Sequence, residues 1–151
     1  MIKSVYLDTS IFGGYFEHEF SESTVEFFDR ILDDQITVFI SEMLVSELHG
    51  APENVKELVY QIPEVQKINI PLTTEAEKLA KTYISENVVG KTSLADCLHI
   101  ALATIHHADI LVSWNFKHIV NIERIRGYNS VNLKLGYSMI EIRSPLELTK
   151  L

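Results

Sequence analysis

Four side chains carry the chemistry this sequence offers: Asp8, Glu47, Asp96 and Asn115. Asp8 follows Val5-Tyr6-Leu7, the end of an apolar run that reads as a strand, so it stands at that strand's carboxyl end. An Asp there equally suits the cap of a following helix or turn. Glu47 is four residues from Met43 and three from Leu44, which puts it on their face of a short helix. An acid on an apolar stripe is costly to bury alone, although on so short a helix it can also reach solvent or a lysine. Asp96 lies in the first turn of the most apolar helix in the chain. There Ser93-Leu94-Ala95-Asp96 reads as a variant capping box, and a carboxylate suits the helix dipole. Leu98, Ile100, Ala101, Leu102, Ala103 and Ile105 leave that helix almost no polar face, so it is central, with an acid at its mouth. Asn115 follows Ile110-Leu111-Val112-Ser113-Trp114 at the end of another strand; taken alone it is a turn residue.

Apolar periodicity predicts the elements that position these groups. Strands are expected at Ile2–Leu7, Ile36–Ile40, Val65–Ile70, Ile110–Trp114 and Met139–Ile142. Helices are expected at Ser23–Leu32, from a Ser41 cap to about His49, at Asn54–Ile62, Thr74–Glu86 and Ser93–His107. The stretch from His118 to about Leu135 reads as helix and loop around Gly127. Strands alternating with helices imply a parallel sheet covered on both faces. In that architecture strand ends and helix beginnings share one edge, where open sheets bind ligands. Asp8 and Asn115 end strands, while Glu47 and Asp96 lie in the first or second turns of helices, so all four project from that edge. Packed like charges raise one another's pKa unless something neutralises them. A hard divalent cation, Mg²⁺ or Mn²⁺, does so through oxygen ligands and also engages phosphates.

The bulk properties bound the partners. The chain has 151 residues, 46% hydrophobic and 23% charged, which fits a single globular domain over 1–151. Its net charge of -8 repels nucleic acid over the general surface, so any such chemistry works through a local basic patch or a bound cation. The single cysteine, Cys97, allows no internal disulfide and fits a reducing compartment. No apolar run reaches membrane-spanning length and no signal peptide is read, so the expectation is a soluble, cytoplasmic protein with no membrane role. Six histidines invite zinc, yet His106 and His107 point apart, and His99 lies too far from His106 to share an ion. His118, Lys117, Arg124 and Arg126 suggest a basic rim, although a solvated surface explains them as well. Ser10 and Ser113 lie beside the acids but lack a base to make them nucleophiles, and no phosphate-cradling glycine loop is present. Trp114 offers a stacking ring, though a large apolar residue ending a strand is usually core.

Leu7-Asp8-Thr9-Ser10, Ile40-Ser41 leading to Ser46-Glu47-Leu48, Ser93 through Ala101, and Leu111 through Asn115 resemble, in that order, the motifs of PIN domains. Within these they are most similar to VapC-like toxins. The resemblance spans nearly the whole chain. It implies a three-layer α/β/α sandwich with a central parallel sheet. It further implies Mg²⁺- or Mn²⁺-dependent cleavage of single-stranded RNA, a homodimer, and a partner antitoxin. The family's first three acids fall on Asp8, Glu47 and Asp96. Its fourth position, commonly Asp, is here Asn115, whose amide oxygen can ligate but brings no charge. Two other readings stay open: a catalytically weakened PIN-like module that binds RNA or protein, and a phosphohydrolase using Asp8 as a covalent nucleophile. Enzymes of the second kind usually carry another Asp two positions on, where this chain has Ser10.

Overall fold

Five short strands make one parallel sheet: β1 (Ser4–Leu7), β2 (Thr37–Ser41), β3 (Lys67–Ile70), β4 (Ile110–Val112) and β5 (Ile142–Arg143). The computed structural model describes residues 1–148. The strand order is β3-β2-β1-β4-β5, with Tyr6 level with Phe39 on one side and Leu111 on the other. The chain steps outward from β1 to β2 and β3, then returns to the far side of β1 as β4. The winding reverses between β1 and β4, so a crevice opens beyond their carboxyl ends.

Strand side chains alternate between the two faces of the sheet. Tyr6, Phe39, Leu111 and Ile142 face one layer, formed by α5 (Thr74–Ser85), α6 (Leu94–Ile105) and α7 (Ile122–Lys134). Val5, Leu7, Val38, Ile40, Ile110 and Val112 face the other, formed by α1 (Thr9–Gly14), α2 (Ser21–Asp33), α4 (Glu53–Tyr60) and α8 (Pro145–Leu148). The short α3 (Glu42–Leu48) contributes Leu44 and Leu48 to the second core and Met43 to the first. The result is the three-layer α/β/α sandwich.

Several local expectations are corrected. Residues 9–14 form a helix, where only the start of an apolar stretch is legible. The strand expected from Val65 begins at Lys67; Glu64–Gln66 is a 3₁₀ turn, and Val65 is almost fully exposed. The last strand is Ile142–Arg143, not Met139–Ile142, and β4 ends at Val112. No loop interrupts α7 at Gly127. That glycine is there for close packing, since a Cβ on it would stand 2.7 Å from Val88 Cγ1. The helix stops instead near Gly136, whose φ of +87° suits a residue just past a helix end. The capping box at Ser93 does not form. Ser93 closes a 3₁₀ turn with ψ of 20°, outside the extended geometry a cap needs, and its buried hydroxyl has no partner among the described residues. Ser41 does cap α3 as expected, accepting from Leu44 N at 3.1 Å.

Candidate active site

Asp8 occupies the N-cap position of α1 in an extended conformation, yet its side chain makes no capping bond. Its carboxylate turns into the crevice between β1 and β4 and is only 4% exposed. Ser10 Oγ donates to Oδ1 at 2.6 Å, and Ser113 Oγ donates to Oδ2 at 2.6 Å. Each serine in turn accepts a backbone N–H from the end of β4, Ser10 from Trp114 and Ser113 from Asn115, both at 2.9 Å. The two hydroxyls thus fix both carboxylate oxygens against the neighbouring strand, which gives Ser10 and Ser113 a role without any nucleophilic chemistry.

Asn115 extends this chain to the next acid. Its Nδ2 donates to Asp96 Oδ1 at 3.2 Å, while Oδ1 accepts from His118 N at 3.0 Å. Because a backbone N–H can only donate, the His118 bond fixes which way the amide points. Asn115 is therefore both a turn residue and a donor to Asp96. Asp8, Ser113, Asn115 and Asp96 form one connected set.

Glu47 joins from the side. It bonds to none of those four residues; its Oε1 accepts from Thr9 Oγ1 at 2.7 Å and lies 2.5 Å from His99 Nε2. His99, 2% exposed, is the member of this cluster that sequence reasoning misses. Its one sequence signal is its place three residues after Asp96, on the same face of α6.

The electrostatics follow from burial. Desolvation pushes the Asp8 pKa above the usual carboxylate range. The charge of His99 and the two serine bonds oppose that rise, while the charge of Asp96 adds to it. Asp96 is also raised by burial, against the pull of His118, His99 and the Asn115 bond, with Glu47 raising it further. Glu47 goes the other way: burial resists its charge, but the bonds from His99 and Thr9 outweigh that and hold its pKa low. Among the described residues no three His, Cys, Asp or Glu side chains stand tightly enough together to enclose an ion. An enclosed cage is not what Mg²⁺ requires, since it binds through one or two carboxylates and keeps several waters. A buried acid and a half-buried one, both with raised pKa and with the charge of Asp96 adding to the rise at Asp8, fit such a cation with oxygen donors around them. Asp8 and Asp96 would hold it, with Glu47 and Asn115 at its margin.

The remaining candidates fall away from the site. Trp114 is core: it is 6% exposed, stacks on Phe20 at 4.3 Å, and donates from Nε1 to Thr24 Oγ1 at 2.9 Å. Of the proposed basic rim, His118 lies near Asp96, Arg124 donates one N–H to the Val88 carbonyl, and Lys117 and Arg126 are exposed. Grooves of about 500 and 590 Å³ run along α3 and β3, the larger reaching α4, and neither is lined by Asp8, Glu47, Asp96 or Asn115.

The fold has solved relatives. VapBC2 from Rickettsia felis, bound to a DNA fragment from its promoter, is 16% identical with a TM-score of 0.59, covering 93% of this chain and 98% of that one. Mycobacterium tuberculosis VapC20, described as a sarcin–ricin loop cleaving toxin, is 10% identical with a TM-score of 0.56, covering 91% and 98%. FitAcB from Neisseria gonorrhoeae is 12% identical with a TM-score of 0.59, covering 94% and 98%. No curated protein matches the chain in sequence. The PIN domain pattern itself matches residues 5–119, from β1 through the turn after Asn115. This chain belongs to the PIN domain family.

Proposed function

We propose that this protein is a divalent-metal-dependent endoribonuclease that cuts single-stranded RNA as the toxin of a toxin–antitoxin pair. The observation that carries the reading is the Asp8 carboxylate, buried at the β1/β4 crevice, held by Ser10 and Ser113, and within electrostatic reach of Asp96. Burying an acid beside another acid is costly for a fold and is explained by a cation that compensates both. Bound Mg²⁺ or Mn²⁺ supplies positive charge that polarises a phosphodiester and eases deprotonation of water. The chain's own part is to hold Asp8 and Asp96 in place, to keep the amide of Asn115 on Asp96, and to present Glu47 from α3. The names of VapBC2 and FitAcB, and the description of VapC20 as a sarcin–ricin loop cleaving toxin, support the toxin role, an antitoxin partner and an RNA substrate. In this reading the whole chain is one cytoplasmic domain that pairs as a homodimer.

Purified protein incubated with mixed RNA and Mn²⁺ or Mg²⁺ should cleave it, and excess chelator should stop cleavage. Cleavage that continues unchanged in chelator overturns the metal role. One observation favours a second reading, a PIN-like binding module without turnover: the Asn115 oxygen is engaged by His118 N and adds no charge to the site. RNA binding without cleavage at any metal concentration supports that module. The nucleophile reading for Asp8 gains no support, because the position two residues on, where such enzymes carry a second Asp, is Ser10, which donates to Asp8 Oδ1. Sedimentation at micromolar concentration tests the dimer, and co-purification with a small protein encoded beside it tests the antitoxin.

A further inference from the structure

We propose that His99 is a positioning residue that sets the carboxylate of Glu47 for metal binding, an inference that rests on the metal-dependent reading above. His99 lies on α6, one turn after Asp96, and is almost wholly buried. Both ring nitrogens are engaged: Nε2 lies 2.5 Å from Glu47 Oε1 and Nδ1 lies 2.6 Å from the Tyr6 hydroxyl. An ionised carboxylate can only accept, so Nε2 carries the hydrogen and donates it to Glu47. Tyr6 lies in β1, and its hydroxyl stands 2.9 Å from Ser41 Oγ, the atom that caps α3 through Leu44 N. The bonds therefore close a loop through β1, β2, α3 and α6, with His99 at its centre. One end of that loop ties down the first turn of α3. The other ties down Glu47 in its last turn.

The arrangement has a directional consequence. Thr9 and His99 both reach Oε1 of Glu47, and among the described residues no side chain bonds Oε2. One oxygen is doubly anchored and the other is left to be presented to a cation. A glutamate on the surface of a seven-residue helix otherwise has free rotation about its side-chain bonds, which metal binding has to arrest. Anchoring Oε1 arrests it in advance, as partners of ligating groups commonly do. A zinc role for His99 is excluded by the same contacts, since neither nitrogen is free. Simple core filling does not account for it either, because an apolar side chain fills such a space without needing two partners from different elements.

The test uses Mn²⁺ calorimetry on full-length protein, beside circular dichroism and thermal melting to establish folding. His99→Ala should weaken Mn²⁺ binding about 10–100-fold and raise the Mn²⁺ concentration needed for half-maximal RNA cleavage by a similar factor. KM for RNA at saturating Mn²⁺ should stay near wild type. His99→Gln, whose amide N–H can reach the same carboxylate, should recover most of the affinity. In a Glu47→Gln background the His99→Ala change should cost little further affinity, because the residue acts through Glu47. If His99→Ala does not fold, His99→Leu, which fills the space without a donor for Glu47, makes the same comparison in both backgrounds. Wild-type protein that binds no Mn²⁺ defeats the metal reading itself. Wild-type protein that binds Mn²⁺ while folded His99→Ala binds it equally well, or loses as much again without Glu47, defeats the role of His99 alone.

Discussion

Asp8 shows what a single buried carboxylate demands of its surroundings. Burial raises its pKa above the value it has in the unfolded chain, so the fold disfavours the charged form. Below about pH 3 both states are protonated and no penalty exists. The penalty appears as pH climbs through the ordinary carboxylate range and persists above the raised value, so it is fully present at neutral pH. In chelator, Asp8→Asn should therefore melt higher than wild type at pH 7, with a gap that shrinks as pH falls. In a chain of this size each 1 kcal/mol of relief shifts the melt by about 2–4 °C. The same variant, and Asp96→Asn, should lose RNA cleavage by orders of magnitude while keeping the native spectrum. Wild-type cleavage by either, or a loss that only follows unfolding, rejects the assignment. Asn115 allows a sharper comparison. Asn115→Asp can still accept from His118 N, but it replaces a donor to Asp96 with a second acceptor. Added charge should tighten Mn²⁺ binding near pH ~8, where carboxylates are ionised, and should speed cleavage; calorimetry and cleavage assays unchanged from wild type reduce Asn115 to its turn. These three positions are legible in the sequence because strand ends and first helical turns have local signatures. His99 is not, because its partners lie 93 and 52 residues away and a buried polar network leaves no periodic trace.

At the scale of elements, legibility follows the strength of local signals. The amphipathic α2, the apolar α6 and the capped α3 stand out in the sequence because each repeats its apolar positions at helical spacing or starts at a serine that caps it. The short α1 does not, since its six residues give less than two turns of pattern and include Gly13 and Gly14. Only the fold shows why Gly14 belongs there, for a Cβ on it would stand 2.7 Å from the Trp114 ring. Gly127 misleads for the same reason. A glycine within a helical pattern suggests a break, whereas here α7 runs straight through and uses the missing side chain to approach Val88. This yields a prediction. Gly127→Ala gains roughly 1 kcal/mol of helix propensity but overpacks a stiff β-branched neighbour at a cost of about 1–3 kcal/mol. The variant should melt lower than wild type, and Val88→Ala in the same chain should recover part of the loss. A Gly127→Ala variant as stable as wild type means that α7 yields at this point and that the contact is not tight.

The whole molecule carries a net charge of -8, and the acids at the β1/β4 crevice are part of it. A polyanionic substrate approaching such a protein gains little from the long-range field. Near the site the described cations are few: Arg124 donates one N–H to the Val88 carbonyl, and Lys117 stands exposed two residues beyond Asn115. Parallel winding instead gathers the acids at one reversal of the sheet, where a divalent ion, on the reading proposed above, would offset two of their negative charges and offer phosphate a cation. RNA affinity should then behave unlike that of a basic RNA-binding protein. Each phosphate neutralised by a lysine or arginine contributes about -0.7 to the slope of log K against log salt for single strands. One or two such contacts give a shallow slope of about -0.7 to -1.4, set against strong dependence on Mn²⁺ or Mg²⁺. Stopped-flow anisotropy with a labelled single-stranded RNA, read before turnover, measures both. Binding should fall below detection in chelator at micromolar protein and return on adding Mn²⁺, with little change between moderate and low monovalent salt. A slope steeper than about -4, equivalent to six or more phosphate contacts, or undiminished binding in chelator, places the RNA on a cationic surface distinct from the carboxylate edge and removes the ion from substrate recognition.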